Sequence, residues 1–110
     1  MKIHIVKPYD SQAMKRLTEP LSELARLYDV TLSGEVDPAA DVNIHAPYHT
    51  LIGEKDYGSG RHIAMYTHFN PNTENELAEM CNRADIITAM SFTGRDELLT
   101  LGADPAKVWV

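Results

Sequence analysis

Apolar residues fall along this chain in two alternating rhythms. Lys2 to Val6, KIHIV, is a β-branched run of strand length, and Lys7 to Ser11 is a loop. From Met14 onward, Leu17, Leu21, Leu24, Ala25 and Tyr28 recur at steps of three and four, which predicts an amphipathic helix. Pro20 lies inside that pattern and is expected to kink or divide the helix, because its ring clashes with the preceding turn. Asp29 to Ser33 predicts a second strand and Asp41 to His45 a brief, buried third, with a polar turn from Gly34 to Ala40 between them. Ala46-Pro47 ends the third strand. A helical turn and a Gly-containing loop follow, between Tyr48 and Arg61.

His62 to His68 predicts the fourth strand. Asn72 can cap the next helix, and Thr73 with Glu76 has capping-box spacing, offset by one residue from that reading. Leu77, Met80, Cys81 and Ala84 form the apolar stripe of this helix. Asp85 to Met90 predicts the fifth strand, and Ser91 is a good N-cap for the helix after it. In that helix Phe92, Leu98, Leu99 and Leu101 are expected to face inward. Gly102 is expected to supply a left-handed cap, and Pro105 forbids continuation. Lys107 to Val110 begins a sixth strand.

Strands alternating with helices or long crossovers imply one α/β domain over residues 1–110, with a mainly parallel sheet and helices on both faces. The expected class is Rossmann-like and doubly wound. In such sheets ligands bind beyond the carboxyl ends of the strands, where the strand order reverses. That rule selects four loops: Lys7 to Ser11, His45 to Thr50, His68 to Asn72, and Met90 to Gly94. They carry Tyr9, Asp10, His45, Tyr48, His49, His68, Asn70, Ser91 and Thr93.

His68 ends a strand ahead of a polar loop. A neutral imidazole there can hydrogen-bond a sugar hydroxyl or assist proton transfer, or else cap the sheet as a structural residue. His45 and His49 are four apart and would share a face only on a helix. His45 is expected to end a strand, hydrogen-bonded to backbone, so no metal site is expected. Ser91 either caps its helix and does no more, or sits where the helix N-terminus meets a ligand. Asp10 has the same two readings. Met80 and Cys81 read as core.

Composition narrows the classes. The net charge of −6 opposes a nucleic-acid backbone as partner, since phosphate contacts need a basic surface. The single cysteine excludes a disulfide framework and fits a reducing compartment, so a cytoplasmic location is expected. The amino-terminal apolar run is too short for a secretory signal. Neither GxGxxG nor GxxxxGK[ST] occurs, and there is no GxSxG elbow.

Asp85 to Ser91, then Leu98 to Gly102 and Pro105 to Val108, resembles the end of the N-terminal domain of retaining glycosyltransferases of the two-Rossmann (GT-B) type. Asp41 to His45, Tyr66 to His68, Lys2 to Val6 and Leu24 to Thr31 are similar, in order, to earlier strands and a helix of that domain. Two positions depart from the pattern. The loop Pro8 to Ser11 lacks the glycines that the family often carries, and Phe69 stands where the family has an aspartate after the histidine.

The resemblance implies the acceptor-side half of a sugar-nucleotide-dependent glycosyltransferase. His68 would lie near the reacting centre as the catalytic residue. Tyr9, Asp10, His45, Tyr48, His49, Asn70, Ser91 and Thr93 would line the cleft for a carbohydrate or lipid-linked acceptor. No cofactor is expected beyond the sugar nucleotide as co-substrate, bound mainly by a second, donor-binding domain. The ending LGADPAKVWV is expected to be the front part of something longer, inactive alone. Two alternatives stand beside this reading. One is a non-catalytic assembly module, pairing with itself or with a separate donor-domain chain. The other is a small metalloenzyme using the histidines.

Overall fold

The computed structural model describes residues 1–8, 15–16, 18–67 and 74–110. Its strands are β1 (Lys2–Val6), β2 (Asp29–Ser33), β3 (Val42–His45), β4 (Arg61–Tyr66), β5 (Ile86–Ala89) and β6 (Val108–Trp109). Two α-helices lie wholly within the described residues, α1 (Glu74–Arg83) and α2 (Phe92–Thr100), and 3₁₀ helices cover Glu19–Arg26 and Tyr48–Leu51. The strands form one parallel sheet in the order β2-β1-β3-β4-β5-β6. This is a Rossmann-like α/β fold. Its order reverses between β1 and β3, as in doubly wound sheets of the flavodoxin kind, with one strand more.

Handedness distributes the connections. Steps from β3 to β4, β5 and β6 run one way across the sheet, and the step from β1 to β2 runs the other way. Right-handed crossovers therefore place α1 and α2 on one face and Glu19–Arg26 on the opposite face. Packing agrees. Leu51, Leu77, Met80 and Leu98 share one core with Ala64, Tyr66, Ile87 and Val108. Ser22 and Ala25 instead line a cavity of about 540 Å³ together with Ile5, Val30 and Leu32.

Register fixes which side chains share a face, because paired residues in a parallel sheet point the same way. One face carries the rung Thr31–His4–Asn43–His62, followed by Ser33–Val6–His45–Ala64–Ile87–Val108. The other carries Val30–Ile3–Val42–Arg61, then Leu32–Ile5–Ile44–Ile63–Ile86, then Met65–Thr88–Trp109. We refer to these as the histidine face and the aliphatic face.

The ends of α2 form as the sequence predicts. The Ser91 hydroxyl accepts from the Gly94 amide at 3.0 Å, and Gly102 has φ 95°. The Gly102 amide donates to the Leu99 carbonyl and the Ala103 amide to the Leu98 carbonyl, both at 3.1 Å, which is a Schellman closure. Phe92 departs from expectation: it is 71% exposed at the first helical position, outside the buried stripe. The expected helix of residues 14–28 is met in part: Lys15, Arg16 and Thr18 are α-helical, but the helix type changes after them. Glu19–Arg26 is 3₁₀, with Pro20 in its first turn and no buried residue. Pro20 lacks an amide proton and its ring crowds the turn before it, so the break appears as a change of helix type. Met14 and Leu17 lie outside the described residues, as do Asn72 and Thr73.

Candidate functional site

Four strands end at the carboxyl edge near the reversal: β1 at Val6, β3 at His45, β4 at Tyr66 and β5 at Ala89. After β3 the chain passes a cis Ala46–Pro47 bond into the 3₁₀ turn Tyr48–Leu51. The Tyr48 ring lies 5.3 Å from that of Tyr66 and 6.1 Å from that of His49. The Tyr66 hydroxyl donates to the Glu97 carboxylate at 3.1 Å. Burial, then the Glu97 hydrogen bond, raises the Tyr66 phenol above its ordinary range. Burial raises Tyr48 as well, and burial followed by the Lys55 charge lowers His49.

His45 does not line an open cleft. It is fully buried and points into the histidine face. Its Nδ1 lies 2.7 Å from the Thr50 hydroxyl and its Nε2 lies 2.9 Å from Nδ1 of His62. The expectation of a backbone partner is thus corrected to two side-chain partners. His62 Nε2 is 2.9 Å from the Tyr57 carbonyl, which can only accept. With both rings neutral, that carbonyl sets the direction of the chain. His62 donates to Tyr57 and His45 donates to His62, which leaves His45 Nδ1 to accept from the Thr50 hydroxyl; the single proton of that hydroxyl is shared with the Pro47 carbonyl at 3.1 Å. Burial, reinforced by the neighbouring His62 and by the Lys55 charge, pushes the His45 pKa down to about 3.

His4 makes a parallel connection one strand away. Its Nε2 meets the Glu35 carbonyl at 2.8 Å, and its Nδ1 meets the Thr31 hydroxyl at 2.6 Å. Asn43, between His4 and His62 on the same rung, holds the backbone of Asp37 in both directions at 2.9 Å. These buried polar groups therefore anchor the two loops that pass over the sheet, and among the described residues no buried side-chain polar atom lacks a partner.

Between those loops lies a crevice of about 340 Å³, lined by Gly34, Glu35, Val36, Thr50, Lys55 and Asp56. His4 secures one wall through Glu35, and His45 secures the other through Thr50. Lys55 Nζ donates to the Thr50 carbonyl at 3.2 Å. Gly34 closes the crevice near the end of β1, where a Cβ on it would meet the Pro8 Cα at 3.7 Å. The crevice thus sits beside the β1/β3 reversal, where doubly wound sheets bind ligands. Its size is at the low end of the ~300–1,000 Å³ usual for small-molecule sites. Two carboxylates that accept and an ammonium that donates suit a small polyhydroxyl ligand.

The predicted residues divide accordingly. Tyr48 and His49 stand together at the carboxyl edge of β3, but Tyr48 is buried in the core beside Tyr66 instead of lining a cleft, and His49 is half-buried. Ser91 follows β5, with its hydroxyl engaged as a helix cap. Thr93 is exposed beside Asp96 and Glu97 in a shallow depression along α2. Tyr9, Asp10, His68 and Asn70 lie outside the described residues. Glu35, Lys55 and Asp56 were not singled out from sequence, because the connection that brings the first of them over β1 reads only as a polar turn. Among the described residues no group of three His, Cys, Asp or Glu is arranged to hold a metal ion. Nor is any described helix long and apolar enough to cross a membrane.

No family model matches the chain, and no curated protein or solved structure is significantly similar to it.

Proposed function

We propose that the chain is the acceptor-side domain of a sugar-nucleotide-dependent glycosyltransferase of GT-B type, acting in the cytoplasm on a sugar or other hydroxyl acceptor. One observation carries the reading: a polar crevice of about 340 Å³ opens at the strand-order reversal, walled by loops that buried histidines hold in place. The resemblance of Asp85 to Val110 supplies the reaction class. Glu35 and Asp56 would accept hydrogen bonds from acceptor hydroxyls, and Lys55 would donate one. His49 would extend the contact along the carboxyl edge, with the Tyr48 ring buried behind it as packing support. His68 would stand at the reacting centre. Catalysis would come from positioning and from charge stabilisation on the departing diphosphate, the second task falling to a donor-binding domain.

The test is saturation-transfer NMR on the isolated chain, with a panel of saccharides and a panel of sugar nucleotides, followed by a transfer assay. Saccharide signals with weak or no nucleotide signals, and no sustained transfer, are expected. A strong nucleotide response, or turnover by the chain alone, overturns the assignment. A second reading, a non-catalytic assembly module, is favoured by the exposure of Ile86 and Trp109 at 39% and 61%.

A further inference from the structure

On β4, β5 and β6 the aliphatic face presents Arg61, Ile63, Met65, Ile86, Thr88 and Trp109. Burial alternates along these strands. His62, Ala64 and Tyr66 on β4 are buried, whereas Ile63 and Met65 are only half-buried. On β5 Ile87 and Ala89 are buried while Ile86 is 39% exposed, and on β6 Val108 is buried while Trp109 is 61% exposed. Parallel sheets ordinarily have both faces covered. β1 and β3 meet that rule, with every residue after the first in each strand buried.

The cause is topological. The steps from β3 through β6 all run one way, so right-handed connections fall on the histidine face. Only the reverse step, β1 to β2, delivers a helix to the aliphatic face, and Glu19–Arg26 packs on β2. Connections among these strands cannot cover the far end of that face without breaking handedness.

We propose that the aliphatic face of β4–β6 seats one amphipathic helix contributed by a separate polypeptide. Dimensions choose the occupant. Three strands span about 10 Å at ~4.8 Å spacing, which matches the ~10 Å width of one helix. The footprint, about 10 Å by 15–20 Å, is roughly a quarter of the ~800 Å² per partner that a stable dimer needs. A second copy also fits poorly in chemistry. The helix it would bring on this face carries Glu23 and Arg26 at 69% and 79% side-chain exposure. Each copy also has a net charge of −6. A helix laid beside Glu19–Arg26 completes the second layer as α/β architecture requires. The partner is therefore a helix with an apolar stripe at i, i+3, i+4 and i+7, and a carboxylate at the end that meets Arg61, whose exposed guanidinium is paired only at 3.6 Å with Asp85. This inference rests on the sheet alone, independently of the glycosyltransferase reading.

Trp109, the only tryptophan in the chain, reports directly on the slot. The probe is a charge-balanced helical peptide of about 18 residues, five turns, with a leucine stripe. The control has the same composition with the stripe dispersed. The striped peptide is expected to shift Trp109 emission to the blue, saturably, in the micromolar range. Ile86→Glu and, separately, Thr88→Arg should each weaken it by about tenfold or more. Circular dichroism confirms that each variant is folded. No shift up to ~1 mM peptide, or an equal response to the control, overturns the proposal. So does light scattering that shows a dimer which Ile86→Glu turns into monomer, since a second copy then fills the slot. Saccharide binding is read across the sheet at Gly34, Thr50 and Lys55, so either proposal can fail without the other.

Discussion

Ile86 and Ile87 are adjacent on β5 and chemically identical, yet Ile87 is fully buried and Ile86 is 39% exposed. The contrast extends to the whole sheet. The histidine face mixes polar and apolar groups and is closed over by α1, α2, the Tyr48–Leu51 turn and two loops. The aliphatic face is almost purely hydrocarbon but is left partly open beyond β3, and at the edge strand β2, where Leu32 is 55% exposed. Burial here follows topology more than side-chain polarity. Connections fall on the histidine face, so even His4, Asn43, His45 and His62 are taken out of water there, and each is satisfied by a partner.

The largest consequence is for core truncation. Ile87→Ala should cost about 3–4 kcal/mol and Ile86→Ala about 1 kcal/mol, measured by urea unfolding. Equal costs would erase the distinction between the faces. Next, His45→Ala should cost about 2–3 kcal/mol, because Thr50 and His62 lose a buried partner. Thr88→Ala, on the open face, should change stability by no more than about 0.5 kcal/mol.

Acid sharpens the comparison further. The His45 pKa is pushed from 6.5 to about 3 in the folded chain, so the unfolded chain binds the proton first as pH falls. The stability this group contributes is fully present above pH 6.5 and is lost as pH drops toward 3. The slope approaches ~1.4 kcal/mol per pH unit for one such group, and His49, also lowered, acts in the same direction. His45→Gln should flatten the pH dependence of Tm over this window. A slope that the variant leaves intact would place the titration elsewhere.

A modest effect is expected at Ser91. Ser91→Ala should cost about 1 kcal/mol, and Ser91→Gly only a few tenths, if the hydroxyl serves as a cap. A Ser91 that also holds an acceptor would lose saccharide binding in both variants.

Much of the architecture was legible in the chain. Short β-branched runs bounded by Pro, Gly and Asp marked all six strands, and Ser91 and Gly102 marked the ends of α2. The facing of His45 was not legible, because its direction depends on which face the connections cover, and that follows from strand order. Nor was the crevice. Glu35 reaches it only because the β2–β3 connection crosses over β1, and Lys55 and Asp56 meet it from a loop whose path sequence periodicity does not encode. Pro20 signalled a break but not the 3₁₀ geometry through which the chain absorbs it.

Amide NMR mapping of a saccharide titration tests the central claim most directly. If the acceptor lies in the crevice at the β1/β3 reversal, shifts concentrate at Gly34 to Val36, His49, Thr50, Lys55 and Asp56. Shifts centred on Ile63, Ile86 and Trp109, or none with any saccharide of the panel, would contradict it.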